Sequence, residues 1–369
     1  MKHVATWIII TLLVSLNWGK ELEGPIKGKL KKSGSPYHVT KEISVLPKTS
    51  LTIEPGVIIK FDTTAVFTID GKLTAIGTKN EQIKFTSSQL KPNGAAWEGI
   101  KFTNRGNDNS RLEYCTIEYA RHGISIFSVS PTIANNTITY CKDNGILISV
   151  SNSHITKNTI KLNSKDGINA KQFNGKIEKN NISENAGDGI HLEHSKCYVA
   201  GNIITLNEDD GIFCYKGNAT IENNRFIKNG DDGILLGNSS SIIFNNLIAK
   251  SNFGIFIYEK SLPTIVNCTI VNNKYGLFAR DNSKLNVENS IIWNNEELSL
   301  VDSTSSVKII YSDTEPEFEG EGNFSKPPKF INTEDFNIKN DSPCIGKGTP
   351  TPSYNKNYVI KTNIGAQLK

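Results

Sequence analysis

Four absences narrow the reading of this chain. After residue 16 no segment is apolar enough to cross a bilayer as a helix. No stretch carries apolar residues at helical spacing, and the leucine-rich pattern is missing, so helical and leucine-rich repeats are excluded. Neither sign of charge dominates: 41 basic and 37 acidic residues leave a net charge of +4, too balanced to argue for nucleic acid. The Lys-rich stretch Lys27 to Lys32 is short and reads as a solvated edge. The six cysteines form no Cys-x-x-Cys and no spacing suited to a metal. What is present is enough for a core: 37% of the 369 residues are hydrophobic and 21% charged, so the composition is not that of a disordered chain.

The first residues are Met1-Lys2-His3, followed by an apolar run from Val4 to Leu16 and then by polar residues. A basic start and a short apolar core read as a signal peptide over residues 1–19, with Gly19 the last residue removed. An apolar N-terminal strand is the alternative. The run is too short to span a bilayer comfortably, and no cysteine beside it offers a lipid anchor. The expected location is therefore secreted, periplasmic or cell-surface, with no transmembrane anchor.

The strongest signal is self-similarity. Gly-Ile or Gly-Leu pairs begin at Gly123, Gly145, Gly167, Gly189, Gly211, Gly233, Gly254 and Gly276, in steps of 22 with a single step of 21. Asn136, Asn158, Asn180, Asn202, Asn224 and Asn246 keep the same spacing. A second asparagine column holds Asn163, Asn185, Asn207 and Asn229 and returns at Asn273 and Asn295. Within a repeat the apolar residues alternate in short bursts, the period of strands, and Asn and Gly punctuate them as turns. One coil then has three strands, centred on Ile155, on Ile160 with Leu162, and on Ile168 with Ala170.

No single coil of this length can bury its apolar positions. Stacking the coils at the strand spacing of about 4.8 Å makes three parallel sheets around one core. The expected fold is thus all-β: a single-stranded right-handed parallel β-helix, a solenoid of about 22 residues per coil. The hand is the usual one for parallel crossovers. Stacked asparagines can bond amide to amide, and Ser153, Gly175, Cys197, Ala219, Ser241 and Pro263 form a column of small corner residues. Cys115 and Cys268 occupy the first asparagine slot at the two ends of that column, and Cys141 occupies the second. The cysteines are therefore expected to be small buried residues rather than disulfide partners. Residues 20–102 carry strand signals without the rhythm and read as a cap with irregular coils. Residues 103–298 are the regular repeats, and 299–369 a looser closing segment.

The chain resembles bacterial secreted right-handed parallel β-helix repeat proteins of the pectin-lyase-like superfamily. The residues that carry the resemblance are Leu51-Thr-Ile-Glu-Pro-Gly-Val57, the Asn and Gly-Ile coils, Ser290-Ile-Ile-Trp-Asn294, and Ser342-Pro-Cys-Ile-Gly-Lys-Gly348 followed by Ile364-Gly-Ala366. Relatives commonly show Asp where this chain has Gly346 and Asn363, which weakens any role for acids in this tail. The resemblance implies the fold and a link to polysaccharides. The Asn-Thr-Asp, Gly-His-Gly and Arg-Ile-Lys signatures of polygalacturonase-like chains are missing, and with five arginines no Arg-Lys-acid cluster specifies a lyase. The balance favours a protein that is not an enzyme. If it is one, it is a polysaccharide lyase or glycoside hydrolase.

Three features bear on chemistry. Asp166, Asp188, Asp210 and Asp232 recur just before the glycines, with Asp209 and Asp231 beside two of them. Repeated turn chemistry is the favoured account; calcium held by Asp188, Asp210 and Asp232, or a glycosidase-like acid pair, is the alternative. Arg121-His122 and the trio His191, Glu193 and His194 offer acid–base groups that ordinary polar surfaces also carry. Finally, six of the sixteen outward slots after the glycines are aromatic, against 8% for the whole chain. Phe213, Tyr215, Phe256, Tyr258 and Phe278 lie on this face with Lys171, His191, Glu193 and Arg280, and Gly237 is expected to leave a gap about 10 Å wide between the aromatic coils. Exposed rings stack on sugars, so polysaccharide or a cell-surface glycan is the expected partner; the alternative is that the C-terminal tail covers the face. Three functions follow in order: a carbohydrate-binding surface, a polysaccharide-degrading enzyme with an unrecognised site, and a non-catalytic structural or adhesive scaffold. No cofactor beyond that possible calcium is indicated.

Overall fold

The computed structural model describes residues 19–349, 354 and 363–368. Residues 1–19, read above as a signal peptide, lie outside the described residues apart from Gly19. Each regular coil begins with a three-residue strand such as His154–Thr156, bends, continues as Thr159–Lys161, bends again and ends in a longer strand, Ile168–Phe173. We number the three columns of strands 1, 2 and 3 in that order. Every strand pairs in parallel with its equivalents one coil away: Ile155 lies between Ile133 and Ile177, Ile160 between Ile138 and Ile182, and Ile168 between Ile146 and Ile190. Column 1 contains 13 strands, from Gly28–Leu30 to Ser306–Ile310. The solenoid therefore has about 13 turns. The irregular N-terminal strands join the same columns, since Tyr37–Val45 pairs with Ile58–Phe61 in column 2 and with Val66–Ile69 in column 3. The stacked isoleucines are fully buried in one core that runs the length of the solenoid. Leu162 is the exception to the expected strand centres. It sits at the bend with φ 56°, so its side chain leaves the core that Ile160 enters.

The asparagine columns lie at the bends and bond amide to amide along the stack, as expected. At the bend from column 1 to column 2 the left-handed residue is the one before each ladder asparagine: Asn135, Lys157, Lys179, Gly201, Asn223 and Asn245, with φ between 54° and 64°. The asparagine that follows turns inward and replaces the hydrogen bonds the bend interrupts. The backbone N–H and the Nδ2 of Asn158 both donate to Oδ1 of Asn180, at 2.9 and 3.0 Å, and Nδ2 also donates to the Ile133 carbonyl at 2.9 Å. The same pattern runs unbroken from Asn136 to Asn246. A second ladder links Asn163, Asn185, Asn207 and Asn229. All six cysteines are buried and free, and Cys115 N–H donates to Asn136 Oδ1 at the end of the first ladder.

The Gly-Ile glycines are not left-handed either. Their reason is space: a Cβ on Gly189 would lie 2.5 Å from Ile204 Cγ2 and 2.7 Å from the Gly211 carbonyl oxygen. The same conflict recurs at Gly145, Gly167, Gly211 and Gly254.

Beyond column 2's last strand, Asp313–Thr314, Phe318 packs on the end of the core and the chain then turns back along the outer face of column 2. There Phe336, Cys344 and Ile364 bury Leu247, Ala249, Val271 and Ile291, and Arg225 pairs with Asp335 at 2.5 Å. Asp313 pins the junction. Its carboxylate accepts from Lys326 N–H at 3.0 Å and from the Cys344 thiol at 3.2 Å. Burial pushes its pKa up to about 6. A raised carboxyl pKa means the folded chain holds its proton more tightly than the unfolded one, so this contribution is complete below about pH 4 and is lost as pH rises through about 6. Wild type is expected to lose a few °C of Tm relative to Asp313→Asn between about pH 4 and pH 6.5, measured by thermal denaturation across that range. Parallel pH profiles of the two proteins would refute this.

Candidate functional site

Column 3 has the longest strands of the coils, and its pleat sends alternate residues outward. Register places two outward rows side by side. One runs Asn169, His191, Phe213, Leu235, Phe256, Phe278, and the other Lys171, Glu193, Tyr215, Gly237, Tyr258. Arg280 follows at the end of the second row, over the rings of Phe256 and Tyr258 at 5.2 and 5.7 Å. The nine residues read from the sequence as a binding strip thus share one face. The five rings are half-buried, and the described part of the tail lies on column 2 and, through Tyr354 against Phe244, on column 1. The described tail does not cover the strip.

Two details differ from expectation. The gap over Gly237 is closed, because Tyr215 and Tyr258 lean toward each other across it, nearly parallel, with centroids 6.5 Å apart. A Cβ on Gly237 would lie 2.5 Å from the Tyr258 ring and 2.8 Å from that of Tyr215, so the glycine is what lets the rings converge. Two further aromatics were missed. Phe253 and Tyr275 occupy the slot before the glycine, where earlier coils carry Asp, and Phe253 stacks on Tyr275 and Phe278 with centroids 4.9 Å away in each case. Their signal lay in the sequence just ahead of the glycine, outside the two rows that follow it. The patch is therefore wider at this end, and Lys216 and Lys274 lie over Tyr215 and Tyr275.

At the other end Lys171 pairs with Glu193 at 2.8 Å, and His194 is a left-handed bend residue 3.4 Å from Glu193. His191 packs edge-on to Phe213 and shares a hydrogen bond of 2.9 Å, through Nδ1, with Asp188. Burial opposes the imidazolium, but the hydrogen bond and charge of Asp188 outweigh it and raise the His191 pKa. Burial raises the Asp188 pKa in turn. Both shifts favour the protonated form of each partner. Arg121 and His122 do not join this group: Arg121 pairs with Glu98, and burial lowers the His122 pKa beside Asp143.

The Asp row is more than a surface turn. Asp188, Asp210 and Asp232 are buried, and each accepts or donates along the axis: Asp188 N–H donates to Asp166 Oδ1, Asp210 N–H to Asp188 Oδ1 and Asp232 N–H to Asp210 Oδ1, at 3.0 to 3.1 Å. Asn144 is the first rung, accepting from Asp166 N–H at 3.1 Å. Burial, then the neighbouring carboxylates, pushes Asp210 up to about 10; burial, then Asp231, pushes Asp232 up to about 8.

Comparison with known proteins agrees with the architecture. A family model described as right handed beta helix region matches residues 74–220 and 210–314. A point mutant of the periplasmic alginate epimerase AlgG superposes with a TM-score of 0.63 at 13% identity, covering 74% of this chain and 77% of that one. Pectate lyase Pel9A superposes with a TM-score of 0.54 at 14% identity, covering 88% and 89%. Protein bark beetle of Drosophila melanogaster is 42% identical over 64 residues, which are 17% of this chain and 2% of that protein. At such identities the two solved structures speak for the fold alone. The stacked coils, the inward ladders and the family match over most of the chain together place it in the right-handed β-helix family.

Proposed function

We propose that the protein binds polysaccharide along the outer face of column 3. The observation that carries this reading is the continuous patch of half-exposed rings from Phe213 to Phe278, with Arg280 and Lys216 on its edges. Ring faces accept the C–H faces of sugars, and the flanking charges take hydroxyl groups. From His191 to Phe278 the strip crosses four coil steps, about 19 Å at the strand spacing, a length that suits several sugar units. Two structures that share the fold are an alginate epimerase and a pectate lyase, each named for a polysaccharide; an extracellular or periplasmic site of action fits the same reading.

Tyr215→Ala and Tyr258→Ala are each expected to weaken polysaccharide binding about tenfold, measured by affinity electrophoresis against a polysaccharide panel, while Tm stays within about 2 °C of wild type. Unchanged affinity for every polysaccharide bound by the wild type would sink the proposal. The hydrogen-bonded Asp188–His191 pair beside Phe213 favours catalysis as a second reading. Release of shortened chains by wild type, lost in His191→Ala, would turn the binding face into an active site.

A further inference from the structure

Rings alone do not choose between neutral and acidic glycans; the charges beside them do. Lys171, at one end of the strip, pairs with Glu193 at 2.8 Å, and Arg280, at the other, has the Asp281 carboxylate 3.4 Å away. Lys216 and Lys274 lie over the rings of Tyr215 and Tyr275. On the margin before the strands, Asp209 and Asp231 are exposed just ahead of the coils that carry Phe213 and Leu235. Acids thus accompany the cations along both margins. A polymer with a carboxylate on every sugar would set several negative charges over this face, and like charges brought together on binding are strongly disfavoured.

The corner that follows column 3 supplies a second observation. Ser239 N–H donates to Ser261 Oγ at 3.1 Å and Ser261 N–H to Ser283 Oγ at 3.0 Å, so the three serines are equivalent. Yet Ser239 follows Gly233 by six residues, while Ser261 follows Gly254 and Ser283 follows Gly276 by seven. The extra residue is taken up as a second left-handed one. The bend has Asn238 alone in the first of these coils, Glu259 with Lys260 in the next and Asp281 with Asn282 in the third, all with φ between 49° and 61°. The two wider bends stack, with Lys260 N–H donating to the Asp281 carbonyl at 2.9 Å. These five residues line a cavity of about 320 Å³. It opens beside the rings, since the Tyr215 hydroxyl donates to Glu259 at 3.2 Å and Arg280, the residue before Asp281, lies over Tyr258. Ligand sites span about 300–1,000 Å³, so a cavity at the lower end suits one sugar unit rather than several. Its lining offers two carboxylates, one ammonium and two amides. Carboxylates accept, the ammonium donates and amides do both, which suits hydroxyl groups that donate and accept in turn. A carboxylate entering the cavity would meet two of its own kind against a single cation.

We propose that the glycan held by this face is uncharged, and that the corner cavity takes the hydroxyl groups of one of its sugar units. The inference rests on the reading that the face binds polysaccharide. Full-length protein is titrated calorimetrically with neutral polymers (mixed-linkage β-glucan, galactomannan and arabinan) and with polygalacturonate and alginate, in chelator and again in calcium. At least one neutral polymer is expected to bind about tenfold or more tightly than either polyuronate. Its affinity should change less than about twofold between about 20 and 500 mM NaCl, because ring stacking and hydroxyl hydrogen bonds are not screened as charge pairs are. The double variant Glu259→Gln, Asp281→Asn keeps the shape of both side chains, and asparagine tolerates the left-handed bend. Charged acceptors bond more strongly than neutral ones, so this variant is expected to bind the neutral polymer about tenfold more weakly. Preference for either polyuronate, with or without calcium, would overturn the inference while leaving polysaccharide binding itself intact. A double variant that binds the neutral polymer as wild type does would overturn it too, and the wild-type comparison stands without any variant. No binding to any polymer would refute the reading on which the inference rests, and the inference with it.

Discussion

Asn180→Leu is expected to destabilise the protein by about 4 kcal/mol, although leucine has the same number and branching of side-chain heavy atoms as asparagine. The substitution removes the acceptor of the Asn158 backbone N–H and of Asn158 Nδ2, at 2.9 and 3.0 Å, and the donor to the Ile155 carbonyl at 3.0 Å. All three groups are buried, and each unsatisfied buried group costs about 1–3 kcal/mol. The neighbouring rungs cannot turn to help, because each is committed to the next: Asn202 to Asn224 above and Asn136 to Asn158 below. Equilibrium unfolding in denaturant, followed by circular dichroism, reads the loss. Coils of a solenoid can open separately, so a broadened transition is also expected. A variant within 1 kcal/mol of wild type would show that water replaces the rung and that the ladder contributes little.

Gly189→Ala should cost about 3 kcal/mol or more, an unusual penalty for one methyl group in a chain of normal φ. Its Cβ would press on Ile204 Cγ2 and on the Gly211 carbonyl oxygen, and the second of these is backbone. Relief requires the coils to separate, which breaks the parallel pairing of Ile190 with Ile212. Gly201 makes the contrast. It sits at φ 64°, where a side chain is normally disfavoured, yet a Cβ there would meet only Lys179 Cγ at 3.5 Å. Asn135, Asn223 and Asn245 hold the equivalent place. Gly201→Asn should therefore leave stability unchanged or slightly improved. The same unfolding measurement compares the pair. Equal effects of the two substitutions would mean that backbone conformation, and not the space between coils, explains the repeated glycines.

Much of the architecture was legible in the chain. The spacing of 22 between glycines and between asparagines specifies a stack of coils, because equivalent residues in parallel register meet their own kind one strand spacing away. The outward rows could be read for the same reason, and they hold Phe213, Tyr215, Phe256 and Tyr258 as expected. The inward asparagine ladder was legible for the same reason, and Asn158 joins it. What the repeat could not convey is which residue makes the bend: Lys157, beside Asn158, takes the left-handed conformation. Glycine in the Gly-Ile pair serves a close approach rather than a turn.

By itself, then, the sequence determined the coil period, the inward columns and the face on which the aromatic residues lie, because all three follow from periodicity along the chain. Tertiary structure decided the rest. Whether Asp210 is a solvated turn residue or a buried rung depends on Asp188 and Asp232, each 22 residues away and in contact only across the stack. Where the described part of the tail lies depends on column 2, whose Leu247, Val271 and Ile291 seat Phe336, Cys344 and Ile364. Whether Tyr215 and Tyr258 leave a gap or close one depends on an absent side chain at Gly237 between them. These are contacts between side chains far apart in sequence, and their outcome rests on shape and burial that no local pattern encodes.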